Sequence, residues 1–239
     1  MSRGQAHHGM TDQTDPLYVV CSPCRRVGKT LVSRLLAEFY VVNDRPVAAF
    51  DLADEGPQLA DYLPGITTIA DIGDTRGQMA FFDRLIADDV GARIIDLSHR
   101  VFKNFFTVVQ DIRFFEEARH RSIEPLILFV VEQDPKSAET YAMLRHQLSE
   151  ASLLPVRNQI NAVAIGRAPQ NANVPPTSLD IPLLGLPLRA LIDRQSFSFS
   201  LLSRASPADL PVSLKNELSR WVERIFFQFR HLELVLGCA

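Results

Sequence analysis

The sequence predicts an α/β fold, a mostly parallel sheet flanked by helices in three layers, and three observations carry that reading. Short apolar runs alternate with amphipathic stretches along the chain, the pattern of strands joined by helical crossovers. One apolar run leads through a short loop into Gly28-Lys29-Thr30 at the head of an amphipathic stretch. Two others end on Asp51 and Asp96, at the carboxyl strand ends where open α/β sheets bind ligands.

Taken in order, Leu17–Cys21 reads as the first strand and Lys29–Tyr40 as the helix after it. Pro46–Phe50 is a second strand, closing at Asp51, and Thr75–Ala87 is a helix. Ala92–Ile95 is a strand closing at Asp96, followed by a helix over Asn104–His120. Pro125–Val131 is a buried strand without a polar residue, and Ser137–Ala151 is a helix. Asn161–Ile165 and Ile181–Leu186 read as the last two strands. Ala168–Ser178, rich in proline and asparagine, is the loop between them. Val212–Leu236 is a long final helix. No internal repeat and no domain boundary interrupts this series.

A chain of 239 residues with 46% hydrophobic and 22% charged residues has the size and balance of one globular domain. Residues 16–239 are read as that domain and residues 1–15, polar throughout, as a flexible tail. The net charge of −3 exerts no overall pull on nucleic acid or anionic membrane. No run reaches the roughly 20 apolar residues of a membrane span, and the N-terminus lacks the apolar centre of a secretion signal. Three cysteines, Cys21, Cys24 and Cys238, suit a reducing compartment, so the expected location is the cytoplasm. Cys21 and Cys24 form a lone CxxC with no further zinc ligands at suitable spacing. It is either a redox pair or two incidental cysteines.

The chemistry gathers at the loop. A strand, a loop and a Gly-Lys-Thr opening a helix is the context of a Walker A phosphate loop. Amides at a helix N-terminus point at phosphates, and the helix dipole favours their charge. Gly28 permits close approach of the backbone. Lys29 would set its charge on the β- and γ-phosphates, and the Thr30 hydroxyl would ligate Mg2+. Asp96, after Arg93-Ile94-Ile95, is the natural partner for that ion, with Asp51 beside it; the alternative for each aspartate is capping of the next element. The full GxxxxGK[ST] pattern would put its first glycine at position 23, where this chain has Pro23.

These residues resemble the ParA/MinD group of deviant Walker ATPases, whose loop reads KGGxGK[ST]. The matching residues here are Cys24-Arg25-Arg26-Val27-Gly28-Lys29-Thr30. Phe50-Asp51-Leu52-Ala53 is similar to the family's hydrophobic-Asp-hydrophobic-Asp segment. Ile181-Pro182-Leu183-Leu184-Gly185-Leu186-Pro187 is similar to its P-hydrophobic-LG-hydrophobic-P segment. The resemblance spans about residues 17–235. It implies a P-loop NTPase fold binding ATP or ADP with Mg2+ through Cys24, Arg25, Arg26, Val27, Gly28, Lys29, Thr30 and Leu31. Pro187 and Leu188 would lie beside the base, and Thr30, Asp51 and Asp96 beside the metal. It further implies a weak ATPase that forms a nucleotide-dependent homodimer and positions a cargo or a dedicated protein partner.

The departures fall on catalytic positions. The family's signature lysine, which crosses to the partner's nucleotide, is Cys24 here. Either Arg25 or Arg26 supplies the missing cation, or the loop has lost catalytic duty. The aspartate that orients the attacking water is Ala53 here, leaving Asp54 and Glu55 as substitutes. The expected catalytic set is therefore Lys29, Asp51, Arg26 and Asp54. After Asp96 the chain continues Leu97-Ser98-His99-Arg100, a γ-phosphate sensor or a solvated turn.

The final helix carries Trp221, Ile225, Phe226, Phe229, Leu232 and Val235 at helical spacing, with Arg220, Arg224 and Arg230 among them. It reads as a helix packed on the sheet, with peripheral membrane contact as the alternative. The aromatic Phe102–Phe115 region suggests a protein interface. Arg189, Arg194, Arg204, Lys215 and Arg220 are candidates for nonspecific DNA contact. An ATP-binding switch and a non-hydrolysing scaffold both remain open. A metabolic enzyme lacks a further cluster of acid, base or substrate-binding residues.

Overall fold

The computed structural model describes residues 14–52, 58–87, 91–148, 151–160, 178–204 and 210–237. The strands are β1 (Asp15–Cys21), β2 (Val47–Leu52), β3 (Thr67–Ile69), β4 (Ala92–Leu97), β5 (Ile123–Val131), β6 (Ser152–Asn158) and β7 (Leu179–Ile181). They form one sheet in the order β3-β2-β4-β1-β5-β6-β7, every neighbouring pair parallel. The described helices are α1 (Lys29–Val42), α2 (Leu59–Tyr62), α3 (Thr75–Leu85), α4 (Phe102–Asp111), α5 (Phe114–His120), α6 (Pro135–Gln147), α7 (Leu186–Ile192), α8 (Phe199–Arg204) and α9 (Val212–Leu236).

Pleating divides the central strands between two cores. Tyr18 and Val20 face a cluster with Leu35, Leu36 and Phe39 of α1 and with Ile225 and Phe229 of α9. Leu17, Val19 and Cys21 face the opposite cluster, which holds Phe82 of α3, Phe105 of α4 and Leu144 of α6. A strand covered on both sides must be apolar throughout, which is why β1 reads as a continuous run. The three-layer expectation holds.

Strand order fixes where a ligand can sit. From β1 the chain crosses through α1 to β2 on one side. From β4, the immediate neighbour of β1, it crosses through α4 and α5 to β5 on the other. The connections after β1 and β4 therefore part to opposite faces. The crevice at their carboxyl ends is the topological switch point, and it lies between Gly28-Lys29-Thr30 and Asp96.

Several boundaries differ from the sequence reading. β1 begins at Asp15, whose N–H donates to the Ser122 carbonyl, so the strand takes in the last residue read as tail. α2 and β3 were not expected; they are four and three residues long, too short for a periodic signal. The Asn104–His120 helix is two helices, broken where Arg113 turns left-handed at φ 51°. That break brings Phe114 and Phe115 inward, so the aromatic region is core: Phe102, Phe105, Phe106, Phe114 and Phe115 are all buried. The interface expectation there is corrected.

β6, at Ser152–Asn158, was also not expected, because Pro155 disguised it. Proline is tolerated in a strand where the N–H has no neighbour to meet. β7 pairs with β6 only from Val156 onward, and β6 likewise pairs with β5 only from Leu126, just past Pro125. Asn161–Ile165 and nearly all of the Ala168–Ser178 loop lie outside the described residues. The Ile181–Leu186 strand ends at Ile181, and Leu186 instead opens α7.

α9 matches its expected bounds and packs by its apolar side. Leu218, Trp221, Ile225 and Phe229 are buried, the Trp221 indole N–H donates to the Pro182 carbonyl at 2.8 Å, and Gln228 bonds both the N–H and the carbonyl of Asp180 on β7. Its far end is clamped by Glu233, which accepts from Tyr40 and from Arg45. No helix among the described residues is long and apolar enough to cross a membrane.

Candidate functional site

β1 ends at Cys21, and Ser22–Gly28 make the turn into α1. Two residues of that turn lie in the left-handed region, Arg26 at φ 55° and Gly28 at φ 93°. Glycine takes this conformation freely, whereas arginine there costs on the order of 1 kcal/mol and must be held by its surroundings. Val27, between them, buries its side chain in the core beneath α1. Gly28 caps α1 with no side-chain hydrogen bond, which leaves the first-turn amides to other acceptors.

Lys29 folds back over this turn, its Nζ donating to the Cys24 carbonyl at 2.9 Å. Burial pushes the ammonium below its ordinary range, and the nearby Asp96 charge opposes that shift. Asp96 is 1% exposed. Burial pushes its carboxyl up to about 6, and a hydrogen bond from Thr30 works against the rise. Its Oδ2 is buried with no hydrogen-bond partner. A buried acceptor in that condition costs about 1–3 kcal/mol unless something else binds it. Asp51 is also fully buried, but its Oδ2 accepts the Ala60 N–H at 3.0 Å and so holds the start of α2.

These residues suit a hard cation. Mg2+ takes oxygen donors and commonly pairs one or two protein ligands with phosphate oxygens and water. The Thr30 hydroxyl and the unpartnered Asp96 oxygen are such donors. Among the described residues no three His, Cys, Asp or Glu side chains gather to hold a metal by themselves. A site completed by phosphates needs no such cluster.

The sheet thus brings Lys29, Thr30, Asp96 and Asp51 to one edge. Arg25 and Arg26 are exposed on the same loop, Leu31 is half-buried behind it, and Cys24 contributes its carbonyl. Leu188, expected beside a base, has its side chain fully buried in the core, and the exposed Pro187 before it is the first-turn proline of α7. Asp54, Glu55 and Ala53 lie outside the described residues. Both thiols move away from redox reactivity. Burial raises Cys21, and burial with the charges of Asp134 and Glu132 raises Cys24; an activated thiol would be lowered. Arg189, Arg194, Lys215 and Arg220 are spread over α7, its end and α9.

One residue at this edge escaped the sequence reading. Asn158, the last residue of β6, donates from Nδ2 to the Val27 carbonyl at 3.0 Å and accepts the Ile160 N–H at Oδ1. Its signal was a polar residue ending a strand, and Pro155 hid the strand. No protein-family model matches the chain, and a search of curated proteins finds no relative.

Proposed function

We propose that the chain is an ATP-binding switch similar to the ParA/MinD group, with weak hydrolysis at most. The observation that carries the reading is the unpartnered, buried Asp96 oxygen, set beside Thr30 and Lys29 at the switch point of the sheet. The first-turn amides of α1 and Lys29 bind the phosphates. Lys29 exchanges its bond to the Cys24 carbonyl for a phosphate oxygen, whose negative charge favours an ammonium that burial disfavours. Thr30 and Asp96 would hold Mg2+, which when bound would neutralise phosphate charge. ADP binds the same loop. Arg25 or Arg26, both at the surface, is the cation offered across a nucleotide-dependent homodimer in place of the signature lysine, and a dedicated protein partner reads that dimer. Nonspecific DNA contact through the scattered arginines is subsidiary to this reading. Membrane contact through α9 has less support, because its apolar face is spent on the core.

A non-hydrolysing scaffold is favoured by one observation: one carboxylate oxygen of Asp51 is engaged by the Ala60 amide at the start of α2. Light scattering of the wild type and Lys29→Ala with and without ATP separates the two. Dimerisation that needs ATP and Lys29 supports the switch. A dimer indifferent to both supports the scaffold.

A further inference from the structure

We infer that Asn158 is a positioning residue of the β1–α1 loop, fixing the shape of the candidate phosphate site from two strands away. The inference deepens the phosphate-binding reading and in that respect rests on it.

The orientation of the Asn158 amide follows from its partners. The Val27 carbonyl can only accept and the Ile160 N–H can only donate, so Nδ2 faces the loop at 3.0 Å and Oδ1 faces its own chain at 3.2 Å. Asn158 is 9% exposed and sits at the carboxyl end of β6, which is separated from β1 by β5 alone. Its main chain is fixed by the ladder to β7 at Ile181. The grip therefore comes from the rigid sheet.

The grip falls where the loop needs one. Val27 lies between the two left-handed residues, Arg26 and Gly28. Its side chain is anchored in the core and its carbonyl is held by Asn158, so one residue is fixed at both ends. A loop of glycines would adopt successive turns of this kind freely. Here Pro23, Arg25 and Arg26 occupy that stretch, and a left-handed arginine persists only when its surroundings over-determine it. Asn158 supplies that constraint without being part of the loop.

Site-resolved thiol labelling tests this directly. Cys24 lies in the loop and Cys21 lies buried in β1, so alkylation followed by mass spectrometry reports loop opening and deeper opening separately. In Asn158→Ala, and in the near-isosteric Asn158→Leu, Cys24 labelling should accelerate by about tenfold while Cys21 is unchanged. Equal acceleration of both thiols, or no change at Cys24, overturns the inference. Binding of tripolyphosphate, which has no base, adds the functional arm: it should weaken about tenfold in Asn158→Ala, and unaltered tripolyphosphate binding overturns the positioning role. If the wild type binds neither ATP nor tripolyphosphate, the phosphate reading has failed, and the labelling still decides whether Asn158 holds the loop.

Discussion

Asp51 and Asp96 are register partners on the adjacent strands β2 and β4, both fully buried, yet only one has its second oxygen satisfied. Asp51 gives Oδ2 to the Ala60 amide, and Asp96 leaves Oδ2 without a partner. Two neighbouring carboxylates of the same type thus divide the work: one builds the start of α2, and the other is held ready at the crevice.

The unpartnered carboxylate gives stability a pH dependence. An acid pushed up to about 6 in the folded state keeps its proton where the unfolded chain has lost it. Stability therefore falls as pH rises from about 4 to about 6 and is level above, by up to about 3 kcal/mol from this group. Asp96→Asn should remove that loss. In chelator and without nucleotide, its melting temperature should exceed that of the wild type at pH 8 and match it near pH 4.

α9 offers a test of which face is buried. Phe229 is 1% exposed and Phe227 is 71% exposed, two residues apart. Phe229→Ala should cost about 3–5 kcal/mol in urea denaturation, and Phe227→Ala less than about 0.5 kcal/mol. Comparable losses would mean that α9 packs differently.

A buried ion pair fastens the segment after α7 to α1. Arg34 bonds Glu38 at 3.2 Å and donates to the carbonyls of Ile192 and Phe197, while Glu38 accepts from Ser198 and from the Ser200 amide. Removing one partner leaves a buried charge uncompensated. Arg34→Ala should destabilise by about 3–5 kcal/mol, and limited proteolysis should then cut first near residues 193–200. An unchanged digestion pattern would show that the pair does not hold this segment.

The elements legible in the sequence were those with long, unmixed signals. β1, β4 and β5 carry apolar side chains on both faces because helices cover both, and α9 keeps one apolar stripe over 25 residues. What escaped was short or disguised. β3 has three residues, β6 carries Pro155 in its middle, and the α4–α5 break depends on one left-handed arginine that has no pattern of its own. The site divided the same way. Lys29 and Thr30 are consecutive and Asp96 lies far along the chain from them, but the helix start and the strand end each carry a signal, and adjacency of β1 and β4 unites them. Asn158 carried a signal of the same kind but on an unseen strand.

Calorimetric titration of ATP into the wild type, Lys29→Ala and Asp96→Asn, each with Mg2+ and with chelator, tests phosphate binding at the β1–α1 loop most directly. The expected result is binding by the wild type that weakens at least tenfold in chelator. Lys29→Ala should lose binding, and Asp96→Asn should bind equally weakly with and without Mg2+. A wild type that binds no ATP, or binding indifferent to both substitutions and to Mg2+, would contradict it.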